Sequence, residues 1–115
     1  MFKIENTTFH VTRGDRGDII ISFDDYTFQP GDEVEINVYN EESMDSDPVL
    51  TKSVTIATES ETATISLLAA DTQLGNPITE RVTYWYEIVL NGDQTPLCYD
   101  EQGAKLFYLY PGGIN

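Results

Sequence analysis

The chain has 115 residues, 40% of them hydrophobic, and a formal net charge of −14 at pH 7. This length predicts one domain, residues 1–115, with a core large enough to need no disulfide. The 20 acidic against six basic residues argue against nucleic acid and anionic membranes as partners, because both would be repelled.

The number of cysteines and the first residues of the chain indicate the compartment in which the protein is made. Cys98 is the only cysteine, so no internal disulfide can form, which favours a reducing compartment. Residues 1–5 contain no apolar signal region, and no apolar run approaches the ~20 residues of a membrane span. We therefore predict synthesis in the cytoplasm.

The first half of the chain predicts three strands. Residues 2–12 alternate loosely and indicate a first strand, interrupted near Asn6. Two Arg-Gly-Asp triplets at 13–18 predict a turn, because Gly permits positive φ and Asp can bond its own backbone. Strands at 19–23 and 34–38 follow, separated by the type II turn sequence Gln-Pro-Gly-Asp.

The second half contains the most strand-like stretch of the chain. Residues 50–57 and 62–68 predict two strands, and 69–73 a one-turn corner too short for an independent helix. Residues 82–90 then alternate with a period of two and are rich in β-branched and aromatic types. Asn-Gly follows at once, the preferred pair for a tight hairpin. Residues 95–99 and 104–110 supply the last strands.

Seven or eight short strands without helix predict an all-β fold, an antiparallel β-sandwich. A Tyr early in the strand at 82–90, after a small-residue corner, resembles the tyrosine corner of immunoglobulin-like sandwiches. The residues expected inside are Ile19, Ile21, Phe23, Val34, Ile36, Val38, Val54, Ile65, Leu67, Tyr86, Ile88 and Leu90.

The sequence contains no pattern that points to catalysis or to a cofactor. His10, the only histidine, lies in a predicted strand without ligand residues at a metal spacing, and Cys98 has no base near it in sequence. Paired carboxylates lack the Gly-centred loop of a calcium site, although two loops could converge their acids on one ion. These pairs are Asp24 with Asp25, Asp45 with Asp47, and Asp100 with Glu101.

Glycoside hydrolysis needs only two carboxylates, so the shortage of histidines does not exclude it. Such a pair needs a groove that shelters one acid and raises its pKa, whereas these acids cluster in turns and on polar strand faces. We therefore predict no catalytic, metal or cofactor-binding residues, and no deep pocket with two carboxylates about 5–10 Å apart and aromatic walls.

Exposed aromatic residues are the better candidates for a contact surface. Trp85 projects from the face opposite Tyr84 and Tyr86, where it could stack on a sugar ring or anchor a partner chain. Partial burial under a loop is the alternative. The candidate partner or glycan contacts are Trp85, Tyr39, Tyr99 and Tyr108.

Several short motifs, in order, resemble those of one structural family. They are Val11-Thr12-Arg13-Gly14-Asp15 running into Ile19–Phe23, Phe28–Val34, Asp71-Thr72 with Leu74, and Tyr84-x-Tyr86-Glu87-Ile88-x-Leu90. They resemble the immunoglobulin-like β-sandwich domain of baseplate upper proteins and related small structural proteins of phages and prophages in Gram-positive bacteria. The match covers about Val11 to Leu90; the segments between Leu74 and Tyr84 and after Leu90 are longer than in the family.

The resemblance implies a non-enzymatic structural or docking protein of a phage or prophage tail, located in the virion. Its partners would be other tail or baseplate proteins, or further copies of the chain through edge strands. If the resemblance holds, the first Arg-Gly-Asp is a family turn rather than an adhesion motif. The alternative function is a carbohydrate-binding β-sandwich module that uses its exposed aromatic residues.

Overall fold

A computed structural model describes residues 1–23, 25–94, 99–100 and 103–112, with backbone alone at 93–94, 99–100 and 103–104. The described chain is all-β, as predicted, with ten strands, eight of them four residues or longer. The strands are β1 (Phe2–Glu5), β2 (Thr8–Thr12), β3 (Gly17–Ile21), β4 (Glu33–Tyr39), β5 (Leu50–Thr55), β6 (Ala63–Leu67), β7 (Val82–Leu90), β8 (Asp93–Gln94), β9 (Tyr99–Asp100) and β10 (Gly103–Tyr110).

The strands form two sheets around one core, in a β-sandwich-like arrangement. The larger sheet has the order β1-β2-β10-β7-β4-β5, with β8 beside β7 and β9 beside β10. The smaller sheet consists of β3 and β6, paired antiparallel. The predicted sandwich is therefore confirmed at the level of an all-β, two-sheet fold.

The prediction that all strands are antiparallel is wrong at one place. β2 and β10 pair in parallel, with His10 opposite Tyr108 and Val11 opposite Leu109. Strands joined by a short turn must be antiparallel, but these two lie at opposite ends of the described chain, and a long connection permits parallel pairing. Alternation in the sequence indicates a strand and its faces without indicating its direction.

Strand β7 occupies the bounds predicted for it and lies inside the larger sheet. It pairs antiparallel with both β4 and β10, so both of its edges are hydrogen-bonded. The predicted hairpin follows: Asn91 and Gly92 have φ of 50° and 84°, and Leu90 lies opposite Asp93. These are the two positive-φ positions that a two-residue turn of this kind requires.

The core contains the residues that alternation placed there. Nine of the twelve predicted residues are buried, and Phe23, Val54 and Leu90 are half-buried and pack against the cluster. The prediction omitted nine further buried residues, which lie in β2, β6, β7, β10 and the connections between strands. They are Phe9, Val11, Phe28, Ile56, Ala63, Leu74, Tyr84, Phe107 and Leu109.

The two Arg-Gly-Asp triplets have different roles. Gly14 of the first has φ of 91° in a turn, as predicted. The second does not form a turn, because Gly17 and Asp18 begin strand β3 and pair with Leu67 and Ser66. The close approach of β1 at Gly17, rather than a positive φ, accounts for this glycine.

The corner between β6 and β7 is a turn without helix, and it is bonded to the first Arg-Gly-Asp. Buried Thr72 donates its hydroxyl to the carbonyl of Asp15 at 2.7 Å and accepts the N–H of Gly14 at 3.0 Å. The Arg13 guanidinium donates to the carbonyl of Gly75 at 3.0 Å. This triplet is therefore engaged in the fold.

Some predictions fall outside the described residues. They are Cys98, most of the strand at 95–99, and the carboxylate pairs that include Asp24 or Glu101.

Candidate docking surface

The outer face of the larger sheet carries a group of aromatic and basic side chains. Cross-strand register places His10 opposite Tyr108, Tyr108 opposite Thr83, and Leu106 opposite Trp85. Residues opposite one another share a face of the sheet. We call this surface the aromatic face, and it consists of His10, Arg81, Trp85, Leu106, Tyr108 and Tyr110.

Tyr108 lies at the centre of the aromatic face. The Arg81 guanidinium carbon lies 4.1 Å from the Tyr108 ring centroid, within the range of a cation–π contact. The His10 ring lies 5.6 Å from the same ring on the strand beyond. Tyr108 therefore has a cationic group over its ring and an imidazole at its side.

Tyr110, also on β10, holds the His10 ring in one orientation. Nδ1 of His10 lies 2.8 Å from the Tyr110 hydroxyl, and the two rings stack at 29° with centroids 5.9 Å apart. Two side chains on adjacent strands are thus held in one orientation before any partner arrives. Preorganisation of this kind lowers the entropy cost of binding.

Arg81 contacts an aromatic ring, whereas three other basic residues bind oxygen atoms of the chain. Arg13 donates to backbone carbonyls, Lys3 pairs with Glu5, and Lys52 donates to Asp71 at 2.8 Å. The exposed Arg81 makes no ion pair within the described part of the chain. Its planar N–H donors remain available to a carboxylate of a partner.

The four predicted contact residues have three outcomes. Trp85 and Tyr108 are half-exposed on the aromatic face. The prediction that Tyr39 is exposed is wrong. This residue, opposite Trp85, is only 7% exposed and donates its hydroxyl to Glu87 at 2.9 Å. This hydrogen bond holds the Tyr39 side chain against the neighbouring strand β7. The side chain of Tyr99 lies outside the described residues.

Sequence reasoning missed His10, Arg81, Leu106 and Tyr110 as members of this surface. Alternation in β10 does place Tyr108 and Tyr110 on one face. The parallel pairing of β2 with β10 brings His10 to them, and no local sequence signal marks that pairing.

A buried carboxylate lies beside the aromatic face. Glu87 is 6% exposed on the outer side of β7, bonded to Tyr39, and diagonal to Glu35 across the β4–β7 pair. Two clefts described by the structure lie elsewhere, one along the start of β3 and one between β3 and the β1–β2 hairpin. Neither is lined by Glu35 or Glu87.

The acidic loop before β4 organises its own backbone. Asp32 accepts the N–H of Gln29 at 2.9 Å, the Tyr26 hydroxyl at 2.5 Å and the Asn91 side-chain amide at 3.0 Å. These bonds, the backbone one foremost, hold the pKa of Asp32 below its usual value. The hydrogen bond between the Tyr26 hydroxyl and Asp32 raises the pKa of Tyr26.

The described residues contain no cluster of three or more His, Cys, Asp or Glu side chains placed to hold a metal ion. In that part of the chain no helix has the length and hydropathy of a membrane span.

No family model, curated protein or solved structure matches the chain.

Proposed function

We propose that this chain is a non-enzymatic structural or docking protein of a phage or prophage tail, of the baseplate accessory type, acting by protein–protein contact. The observation that carries the docking role is the aromatic face. Trp, Tyr and Arg are the residue types that most often dominate binding energy at protein interfaces. Here Arg81, Trp85 and Tyr108 share one face of a sheet.

The tail assignment rests on the family resemblance of residues 11–90. An immunoglobulin-like fold is the finer part of this proposal, and the strand order supports it. In such domains strands C′, C, F and G share one sheet and B and E belong to the other. The order β5-β4-β7-β10 with β3-β6 opposite fits that scheme.

The proposed tyrosine corner is supported by the position of Tyr84. This residue is buried near the start of β7, where burial raises the pKa of its hydroxyl. A β-carbon at Gly75 in the preceding corner would lie 3.5 Å from that hydroxyl. The Tyr86 hydroxyl reaches further, and donates to the carbonyl of Thr7 at 2.6 Å.

The location of the protein tests the tail assignment. Tail particles purified from a lysogen that encodes the chain should contain it at a fixed ratio to the tail-tube protein, measured by quantitative mass spectrometry. Tail, tape-measure or holin genes should flank its gene. Particles without the chain, from cells that synthesise it, would contradict the proposal, as would a gene placed in a metabolic operon.

A carbohydrate-binding module is the second candidate. Trp85 favours it, because a half-exposed indole with Leu106 beside it offers an apolar platform to a sugar ring. A glycan array probed with the wild type and with Trp85→Ala tests this function. Binding that the substitution abolishes would support it; no bound glycan, or binding that survives the substitution, would remove it.

A further inference from the structure

The outer edge of strand β3 has no partner strand in the described structure. β3 pairs with β6 on one side only. Ile20, the fourth residue of this five-residue strand, is 69% exposed. An edge with an exposed aliphatic side chain is a template on which another strand can pair.

An apolar cleft runs beside this edge. It has a volume of about 200 Å³ and lies between β3, the β1–β2 hairpin and β7. Its lining includes Ile4, Thr7, Ile20 and Ile88. A two-stranded ribbon of five residues is short for a sheet, and an added strand would both extend it and cover the cleft.

We propose that the occupant of this edge is β3 of a second copy of the chain. The two strands run antiparallel about a two-fold axis through Ile20, giving a continuous sheet β6-β3-β3-β6. An interface of this kind is isologous, because each copy presents the same strand to the other.

The side chains of β3 fit this register and disfavour the registers shifted by one or two residues. With Ile20 opposite Ile20, Ile19 lies opposite Ile21, and Asp18 lies opposite Ser22, the residue that follows β3. Centring the axis on Asp18 would place two carboxylates face to face, which destabilises a strand pair. Centring it on Ile19 would place Asp18 opposite Ile20.

The net charge of −14 on each copy makes the association sensitive to salt. Like-charged chains repel at a distance, and added salt screens that repulsion. The dimer should therefore tighten as ionic strength rises. A contact that depended on opposite charges would weaken instead.

This inference deepens the proposed docking role by naming a partner, and it rests on that role. Sedimentation equilibrium of the full chain at 0.15 M NaCl tests it. The wild type should form dimers that Ile20→Lys weakens by at least about tenfold, since the substitution removes apolar contact and places two charges together. Val49→Lys, at a 41% exposed site before β5, is the matched control and should dimerise as the wild type does.

Cysteine cross-linking tests the register. In a Cys98→Ser background, Ile20→Cys should give a disulfide-linked dimer on mild oxidation, because residues opposite one another lie within disulfide reach. Val49→Cys should remain monomeric. Thermal melts of each variant show whether it folds.

A wild type that stays monomeric at 0.15 M and 0.5 M NaCl would overturn the inference. So would Ile20→Cys that cross-links no more than Val49→Cys. If the wild type is monomeric but folded Ile20→Lys no longer enters tail particles, another protein occupies the edge. In that case the inference fails while the tail function stands.

Discussion

The ring of Phe2 in β1 lies directly on the α-carbon of Gly17 in β3. A β-carbon built at Gly17 would overlap the ring at Cγ. The φ of Gly17 is not in the left-handed region, so the glycine is there for space rather than for backbone freedom. This contact joins the first strand of the larger sheet to the edge strand of the smaller one.

Gly17→Ala should therefore destabilise the domain by about 1–3 kcal/mol, the usual cost of overpacking. The gain from a stiffer unfolded chain, about 0.4–1 kcal/mol, is smaller. Urea denaturation measures the change. In the Phe2→Ala background the same substitution should cost far less, because the ring is gone; equal costs in both backgrounds would show that the contact is not the cause.

The assignment of strand faces predicts unequal effects at two strand positions. Ile88 is buried in the core, whereas Glu35 points to the outer face. Ile88→Ala should cost about 2–5 kcal/mol because it removes buried methyl groups and leaves a cavity. Glu35→Ala should change the unfolding free energy by less than about 0.5 kcal/mol. Similar melting temperatures for the two variants would refute the assignment of faces.

The hydrogen bonds of Asp32 predict part of the acid sensitivity. Its pKa in the folded chain lies below the unfolded value of about 3.9. The stabilisation is thus fully present above that unfolded value and is lost as the pH falls through the folded pKa. Asp32→Asn should lower the urea midpoint of unfolding at pH 7. The difference in midpoint between the variant and the wild type should be smaller at pH 2.5. Asp47→Asn, in an exposed loop, is the control. A difference in midpoint between Asp32→Asn and the wild type that stays constant with pH would contradict this role of Asp32.

Local patterning in the sequence is sufficient to predict β7, its hairpin and half of the buried core cluster. A period of two marks which side chains share a face, and Asn91-Gly92 marks the turn. Relations between distant strands leave no such mark. The pairing of His10 with Tyr108 and the burial of Tyr39 depend on sheet order, which alternation does not encode.

Gly17 shows the same limit at a single residue. Within an Arg-Gly-Asp triplet it resembles a turn glycine, and the structure uses it for a close approach between β1 and β3. The first triplet behaves as its sequence suggests because its turn is local. A glycine required by a distant ring cannot be recognised from its neighbours in sequence.

We propose that the chain docks on tail proteins through its aromatic face. The amount of folded variant protein that enters purified tail particles measures this docking. Arg81→Glu reverses an exposed charge and Trp85→Ala removes the indole, so each should reduce incorporation by at least about tenfold. Glu80→Gln, the exposed neighbour of Arg81, should enter particles as the wild type does. Wild-type incorporation of both Arg81→Glu and Trp85→Ala would contradict the account.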